Sequence, residues 1–248
     1  MLRGDEQLDD LQIGGLFIIQ KKNGFRFGVD AVLLSDFAKG GASKRTLDLC
    51  TGTGIVALLL SAKTRTPKIC ALEIQHDIAD MARRSVEYNS LSERIEITEG
   101  DLKNAVKIYG KRSFDKITCN PPYIKSDSAI KNESDSVAVS RHELLCTLED
   151  VIKASSELLI PKGRFYMVHR PSRLADIFCL MRRYKLEPKR LRLVAPRPGQ
   201  APNLALIEGM YCGGEELRVM NELYIFDENG NYSEETDRIY GRQSLPQS

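Results

Sequence analysis

From Thr46 onward the chain alternates short apolar runs with segments of helical periodicity, and this alternation restricts the fold more than any other feature. Strand-like runs fall at residues 46–50, 68–73, 95–98, 114–119, 163–169, 189–195 and 204–212. Helices are predicted over 54–63 and 77–89, over 141–159, and from Pro171 to about Tyr184. In the helix over 77–89, Ile78, Met81, Ala82 and Val86 hold the i, i+3, i+4, i+8 spacing of one buried face. Ser140 and Glu143 have capping-box spacing at the head of the next helix. Strands alternating with helices of this length form right-handed βαβ units. The fold class is therefore α/β: a mainly parallel, seven-stranded sheet with helices on both faces. Ligands of such sheets bind at the C-terminal ends of the strands, so the residues just after each strand carry the functional information.

Upstream, Leu16 to Gln20 and Phe25 to Phe27 flank Lys-Lys-Asn-Gly and predict a small hairpin turning at Asn23-Gly24, followed by a helix over 29–38. The expected organisation is an N-terminal extension over 1–45 packed on a core of residues 46–212, then an acidic tail over 213–248. The longest apolar run, Ile55 to Leu60, is far shorter than the ~18 residues of a membrane span. The acidic start MLRGDEQLDD is no secretory signal. The 6 cysteines are widely and irregularly spaced, without a C-x-x-C pair, and only 3 histidines accompany them. This indicates neither a zinc site nor a disulfide framework and suits a reducing cytoplasm. The formal net charge of +2 hides a partition: residues 1–11 sum to −3, 213–248 to −5, and the body between them to +10. Arg182, Arg183, Lys185, Lys189, Arg190, Arg192 and Arg197 accompany a single acid, Glu187, a clustering that fits either a polyanionic partner or a solvated face.

After the first strand of the alternation comes Asp48-Leu-Cys-Thr-Gly52-Thr-Gly54-Ile-Val-Ala57. Its glycines permit a tight strand-to-helix turn and close approach of a ligand to the backbone. Glu73 ends the second strand, where a carboxylate accepts ribose hydroxyls. To this point the pattern also fits a dinucleotide-binding oxidoreductase. Asp101 follows the third strand in Gly-Asp101-Leu102. There the carboxylate suits an exocyclic adenine amine, and the Leu102 amide suits a ring nitrogen. Acids at three successive strand ends, Asp48, Glu73 and Asp101, favour a donor-rich cation such as S-adenosylmethionine over a pyrophosphate.

After the fourth strand the chain reads Asn120-Pro121-Pro122-Tyr123. Two prolines fix the backbone directly after a buried strand. An exocyclic or amide nitrogen is a poor nucleophile because its lone pair is delocalised. If the Asn120 side-chain oxygen and the Pro121 carbonyl accept its N–H bonds, they stabilise the positive charge that builds during methyl transfer. Tyr123 stacks on a planar base. No Cys or His nucleophile is required, and in-line positioning supplies much of the remaining rate. Residues 125–140 form a long polar loop bordered by Arg141 and His142, and His169 closes the fifth strand.

DLCTGTG, Glu73, Gly-Asp101 and above all NPPY resemble the class I S-adenosylmethionine-dependent amino-methyltransferases. Among them the chain is most similar to the bacterial tRNA1(Val) adenine N6-methyltransferases, which modify adenine 37, immediately 3′ of the anticodon. The likeness runs from Gly28-Val-Asp30 through Val168-His-Arg-Pro171 to Glu208-Gly209, most of the chain. It implies a Rossmann-like core. Asp48, Thr51, Gly52 and Gly54 would hold the methionine part of the cofactor, Glu73 the ribose, and Asp101 with Leu102 the adenine, with Asp30 and Ile74 as further cofactor-binding residues. Asn120, Pro121, Pro122 and Tyr123 would hold the target base, Asn120 also bordering the cofactor. Lys125, Arg190, Arg192 and Arg197 are the candidate RNA contacts. One departure is visible, since the class often has glycine where Cys50 stands. NPPY alone leaves other acceptors open. Glutamine methyltransferases of release factors usually add a helical N-terminal domain, DNA adenine methyltransferases a larger recognition insertion, and a scaffold without chemistry would not need the motif intact. tRNA is the favoured partner, with no membrane and no metal.

Overall fold

The computed structural model describes residues 2–23, 28–121 and 146–242. The chain opens with β1 (Glu6–Asp10), β2 (Phe17–Lys21) and α1 (Val29–Phe37). The alternation follows as β3 (Arg45–Leu49), α2 (Ile55–Lys63), β4 (Lys68–Glu73), α3 (His76–Tyr88) and β5 (Ile95–Glu99). A 3-10 turn over Leu102–Asn104 leads into α4 (Ala105–Tyr109) and β6 (Phe114–Cys119). Next come α5 (Leu148–Leu158), β7 (Leu159–His169), a 3-10 turn at Pro171–Arg173 and α6 (Leu174–Arg183). β8 (Leu186–Ala195), β9 (Leu204–Tyr211), β10 (Arg218–Val219), β11 (Leu223–Tyr224) and α7 (Glu234–Ile239) complete it.

The large sheet has the order β10-β8-β9-β7-β6-β3-β4-β5, with β11 also paired to β8. β9 runs antiparallel to β7 and β8, and every other pair in this sheet is parallel. The seven expected strands are all present, and two short ones from the acidic segment extend the sheet. Alternating side chains of one strand enter two cores, Ile69 and Ala71 packing with α1 and α2, Cys70 and Leu72 with α5 and α6. Both faces are thus buried, as a parallel sheet requires. β3 to β8, apart from their antiparallel neighbour β9, end on one common edge.

The N-terminal hairpin is built differently from the expectation. β2 pairs with β1, Leu8 opposite Ile19, and residues 24–27 lie outside the described residues. The pairing is anchored on α3. Phe17 and Ile19 amides donate to Asn89 Oδ1 (2.9 Å) and Ser85 Oγ (2.9 Å). Burial of Ile18 and Ile19 adds roughly 1.5–3 kcal/mol per side chain. Glu6 is clasped by both terminal nitrogens of Arg84, at 2.7 and 2.5 Å.

Two further boundaries move. α5 starts at Leu148, capped by Thr147, whose Oγ1 accepts from Asp150 N (3.1 Å) while Asp150 Oδ2 accepts from Thr147 N (2.9 Å). The expected box at Ser140 and Glu143 lies outside the described residues. β7 begins directly at Leu159 and carries Pro161 within it, tolerated at the register shift between Phe114 and Lys116 on β6. The segment after β9 packs on the body, burying Leu223, Ile225 and Ile239.

The Arg84 guanidinium holds the Glu6 carboxyl down at about 2, from an ordinary 4.5. A depressed carboxylate stabilises the fold fully above its unfolded pKa, and that contribution is lost as pH falls through the folded value. Thermal melts are expected to show a stability loss between pH 4.5 and about 2 that Glu6→Gln removes; identical pH profiles for the two proteins would contradict the role given to this pair.

Candidate active site

Leu49 lies opposite Cys119 in the parallel β3 and β6 pair. Cys50 and Asn120 therefore leave the sheet side by side, about 4.8 Å apart at the strand spacing. The glycine loop and the Asn-Pro step, distant in sequence, share one crevice edge.

Asp48 is 1% exposed and stands opposite Thr118 across the pair. Its two oxygens accept from Thr51 Oγ1 (2.5 Å) and Thr118 Oγ1 (2.6 Å). Burial pushes the carboxyl up to about 7, with the Glu73 charge adding to it and the two hydroxyls opposing it. Asp48 and Thr51, both expected on the methionine side, are buried and bonded to each other beneath the loop. Thr118, absent from the sequence expectations, is the third member of this arrangement. Gly52 has φ 58 and a built Cβ there meets nothing within 4 Å, so its backbone borders open space. Gly54 has φ 86 and starts α2 close against Ala82. Cys50 also lies in the left-handed region at φ 56, which explains why glycine is common at this position in the resembling class.

Glu73 ends β4 beside this loop. Its Oε2 accepts from Gly52 N (3.0 Å) and its Oε1 from Gln75 N (3.0 Å), so the same carboxylate fastens the loop and presents its remaining lone pairs. Ile74, next in the chain, is 36% exposed although apolar, and Leu102 across the crevice is buried. Asp101 Oδ1 caps the following turn through Lys103 N (2.8 Å). Asp30 sits in the first turn of α1, its Oδ1 accepting from Ala31 N (2.9 Å). A Cβ on Gly28 would fall 2.6 Å from that oxygen. Acceptors at three strand ends, a bare glycine backbone and an uncovered isoleucine fit S-adenosylmethionine: Glu73 and Asp101 for its hydroxyls and adenine amine, Ile74 for an adenine face, and Asp48 as a buried countercharge.

On the acceptor side, Asn120 is half-buried at the end of β6 and Pro121 is buried. Pro122, Tyr123, Lys125, Arg141 and His142 lie outside the described residues. The Cys50, Cys119 and Cys146 thiols are neighbours: Cys119 together with burial pushes Cys50 up, Cys50 together with burial pushes Cys146 up, and burial pushes Cys119 up, holding all three as neutral thiols. A thiolate nucleophile is disfavoured here. Cys119 lies opposite Met167, so β7 continues two residues past the end of β6 and sets His169 alongside Pro121. Burial brings His169 down to about 4, a neutral imidazole whose Nδ1 accepts from Arg170 N (2.8 Å).

Two of the expected RNA contacts, Arg190 and Arg192, have partners within the fold. Arg190 is held by Glu208 and lies with its guanidinium carbon 4.6 Å from the Phe37 ring centroid. Arg192 makes a two-pronged pair with Glu235 at 2.8 and 2.7 Å and also donates to Asn221 O (2.9 Å). Both lie within β8 and tie the sheet to α1 and to the C-terminal segment. Arg197 is different: it is exposed, beyond the end of β8, on the edge that carries Asn120. Among the described residues no group of three or more His, Cys, Asp or Glu is arranged to hold a metal, and no helix is long and apolar enough to cross a membrane.

The parallel sheet, the glycine loop and the acids at its strand ends define a methyltransferase of the Rossmann-like class. Residues 27–178 match the methyltransferase small domain family, to which the chain belongs. Within it the chain falls among the tRNA1(Val) (adenine(37)-N6)-methyltransferases. It is 33% identical to the protein of that name from Porphyromonas gingivalis, over 74% of this chain and 73% of that one. It is 32% identical to the Bacteroides thetaiotaomicron protein of the same name, over 88% and 92%. Among solved structures it is similar to an Agrobacterium tumefaciens protein described as a predicted O-methyltransferase (TM-score 0.70, 22% identity, 87% of this chain and 98% of that one). It is also similar to the T. thermophilus 16S rRNA N2 G1207 methyltransferase (TM-score 0.59, 14% identity, 85% and 52%).

Two predictions follow from the burial of Asp48 and the pairing of Arg192. A carboxyl near 7 is largely neutral in weakly acidic solution, and a cationic ligand favours its ionised form. Calorimetric affinity for S-adenosylmethionine is expected to rise as pH increases through about 7, and Asp48→Asn to weaken binding and flatten the profile. Thr118→Val, lacking one donor to the anion, is expected to move the midpoint upward. An affinity independent of pH in the parent enzyme would contradict this. Arg192→Ala is expected to lower stability by roughly 1–3 kcal/mol in denaturant melts without reducing the salt slope of RNA binding.

Proposed function

We propose that this enzyme transfers the methyl group of S-adenosylmethionine to the exocyclic N6 of an adenine in tRNA, the adenine at position 37 of tRNA1(Val). The observation that carries the reading is the adjacency of the glycine loop and Asn120-Pro121 at paired strand ends, together with the shared substrate in the names of the relatives. The cofactor supplies a methyl carbon activated by a sulfonium.

The chain supplies position and charge. The Asn120 side-chain oxygen and the Pro121 carbonyl accept the two N6–H bonds and aim the nitrogen lone pair toward the donor. As the C–N bond forms and the C–S bond breaks, these fixed acceptors stabilise positive charge on nitrogen; the sulfur leaves as a neutral thioether and the methylated nitrogen gives up one proton to solvent water. Stacking on the adenine is the role the sequence assigns to Tyr123, which lies outside the described residues. Glu73, Ile74, Asp101 and Leu102 hold the adenosine part of the cofactor, while Asp48, Thr51, Gly52 and Gly54 form the wall behind its methionine part. The neutral thiols of Cys50, Cys119 and Cys146 suit direct transfer without a covalent enzyme intermediate.

Methyl-labelled cofactor offered with bulk tRNA, a release factor and duplex DNA tests the acceptor. Label is expected in tRNA, as N6-methyladenosine by nucleoside mass spectrometry; label confined to protein transfers the assignment to glutamine methylation. Asn120→Ala is expected to lower turnover about 10²-fold or more with nearly unchanged cofactor affinity, and an unchanged rate would remove Asn120 from catalysis.

A further inference from the structure

The common edge is divided in charge. β3, β4 and β5 end among Asp48, Glu73, Glu99 and Asp101, whereas β7 and β8 exit into Arg170, Arg173 and Arg197. The C-terminal segment adds to the second half. β11 lies parallel to the end of β8, Leu223 opposite Val194 and Tyr224 opposite Ala195. The Ile225 and Phe226 amides then donate to Ala195 O (3.1 Å) and Pro196 O (2.9 Å), carrying the segment past the same edge.

There three rings gather. Phe226 stacks on Tyr232 with centroids 5.1 Å apart and planes at 20°, and Tyr232 leans on Tyr240 at 5.9 Å. The Arg197 guanidinium carbon lies 5.9 Å from the Phe226 centroid, and that of Arg242 lies 4.9 and 4.8 Å from Tyr232 and Tyr240. Phe226 and Tyr240 pack on the core, but Tyr232 is 39% exposed and the Arg242 side chain 37%. The nearby Asp227 turns inward, its Oδ1 accepting from Asn229 N and Asn231 N at 2.9 Å. The Arg242 guanidinium donates to Gln12 Oε1 (3.2 Å) and lies 3.6 Å from the Asp237 carboxylate.

We infer that this ring and guanidinium cluster is a second RNA-contact surface, which takes unpaired nucleotides flanking the target base. The inference rests on the tRNA reading above. It lies three to four strand spacings from β6, roughly 14–19 Å, a few nucleotides along a single strand. Every base presents a π face, so rings and guanidinium planes hold a single-stranded loop whatever its sequence. Tyr232 and Arg242 stack on a base, and Arg197 meets a phosphate through charge-assisted hydrogen bonds.

Anisotropy titrations with a labelled RNA hairpin carrying an unpaired, adenine-containing loop, and with a blunt duplex of the same stem, test this. Tyr232→Ala and Arg242→Ala are each expected to weaken hairpin binding about tenfold, with duplex binding little changed. Tyr232→Phe, which keeps the stack, is expected to bind like the parent. In methyl transfer the alanine variants are expected to raise KM for tRNA at constant kcat. If the parent methylates tRNA while both alanine variants keep the parental KM and hairpin affinity, this inference alone falls. If the parent neither binds nor methylates any tRNA, the functional reading falls and the inference with it. The Arg242 side chain is 37% exposed and does not pack on the core, so its variant stays informative even if Tyr232→Ala fails to fold.

Discussion

A single buried carboxylate joins the two halves of this enzyme's crevice. Asp48 accepts one hydroxyl hydrogen bond from the cofactor loop and one from the strand that leads into Asn120. In the dry interior such an oxygen acid is costly to ionise, and its two donors are what make the anion tolerable. Glu73 repeats the device one strand over, holding the Gly52 amide. The loop is consequently clamped from beneath by two acids, and its outward face stays bare backbone. Preorganisation of this kind places the donor and acceptor sites relative to each other.

Much of the frame was legible because long apolar runs bounded by turn residues have one reading. Strands 68–73 and 114–119 appear with the expected limits, and the glycine turn falls where the spacing puts it. β1 was not legible: Glu6-Gln-Leu-Asp-Asp10 has no strand pattern, and a tertiary anchor, Glu6 on Arg84, holds it in place. Two-residue strands such as β10 and β11 leave no periodicity at all.

The site divides in the same way. Residue types at strand ends could be read from spacing, so Glu73, Asp101 and Asn120 were visible. Thr118 was not, because its partnership with Asp48 depends on β6 lying beside β3, and strand order is not written in sequence order. Basic residues could be counted along 182–197, yet whether a guanidinium faces solvent or a carboxylate depends on elements far away in the chain. Glu208 and Glu235 claim Arg190 and Arg192, while Arg197, past the last strand residue, stays in the open.

The two short strands after β9 also have a bearing on solubility. β8 is ten residues long, and without β10 and β11 its outer rim would present a row of unmatched amides and carbonyls, the kind of border on which sheets of separate molecules join. A version of the enzyme shortened after β9 would therefore lose the packing of Leu223, Ile225 and Ile239 and acquire a sticky flank.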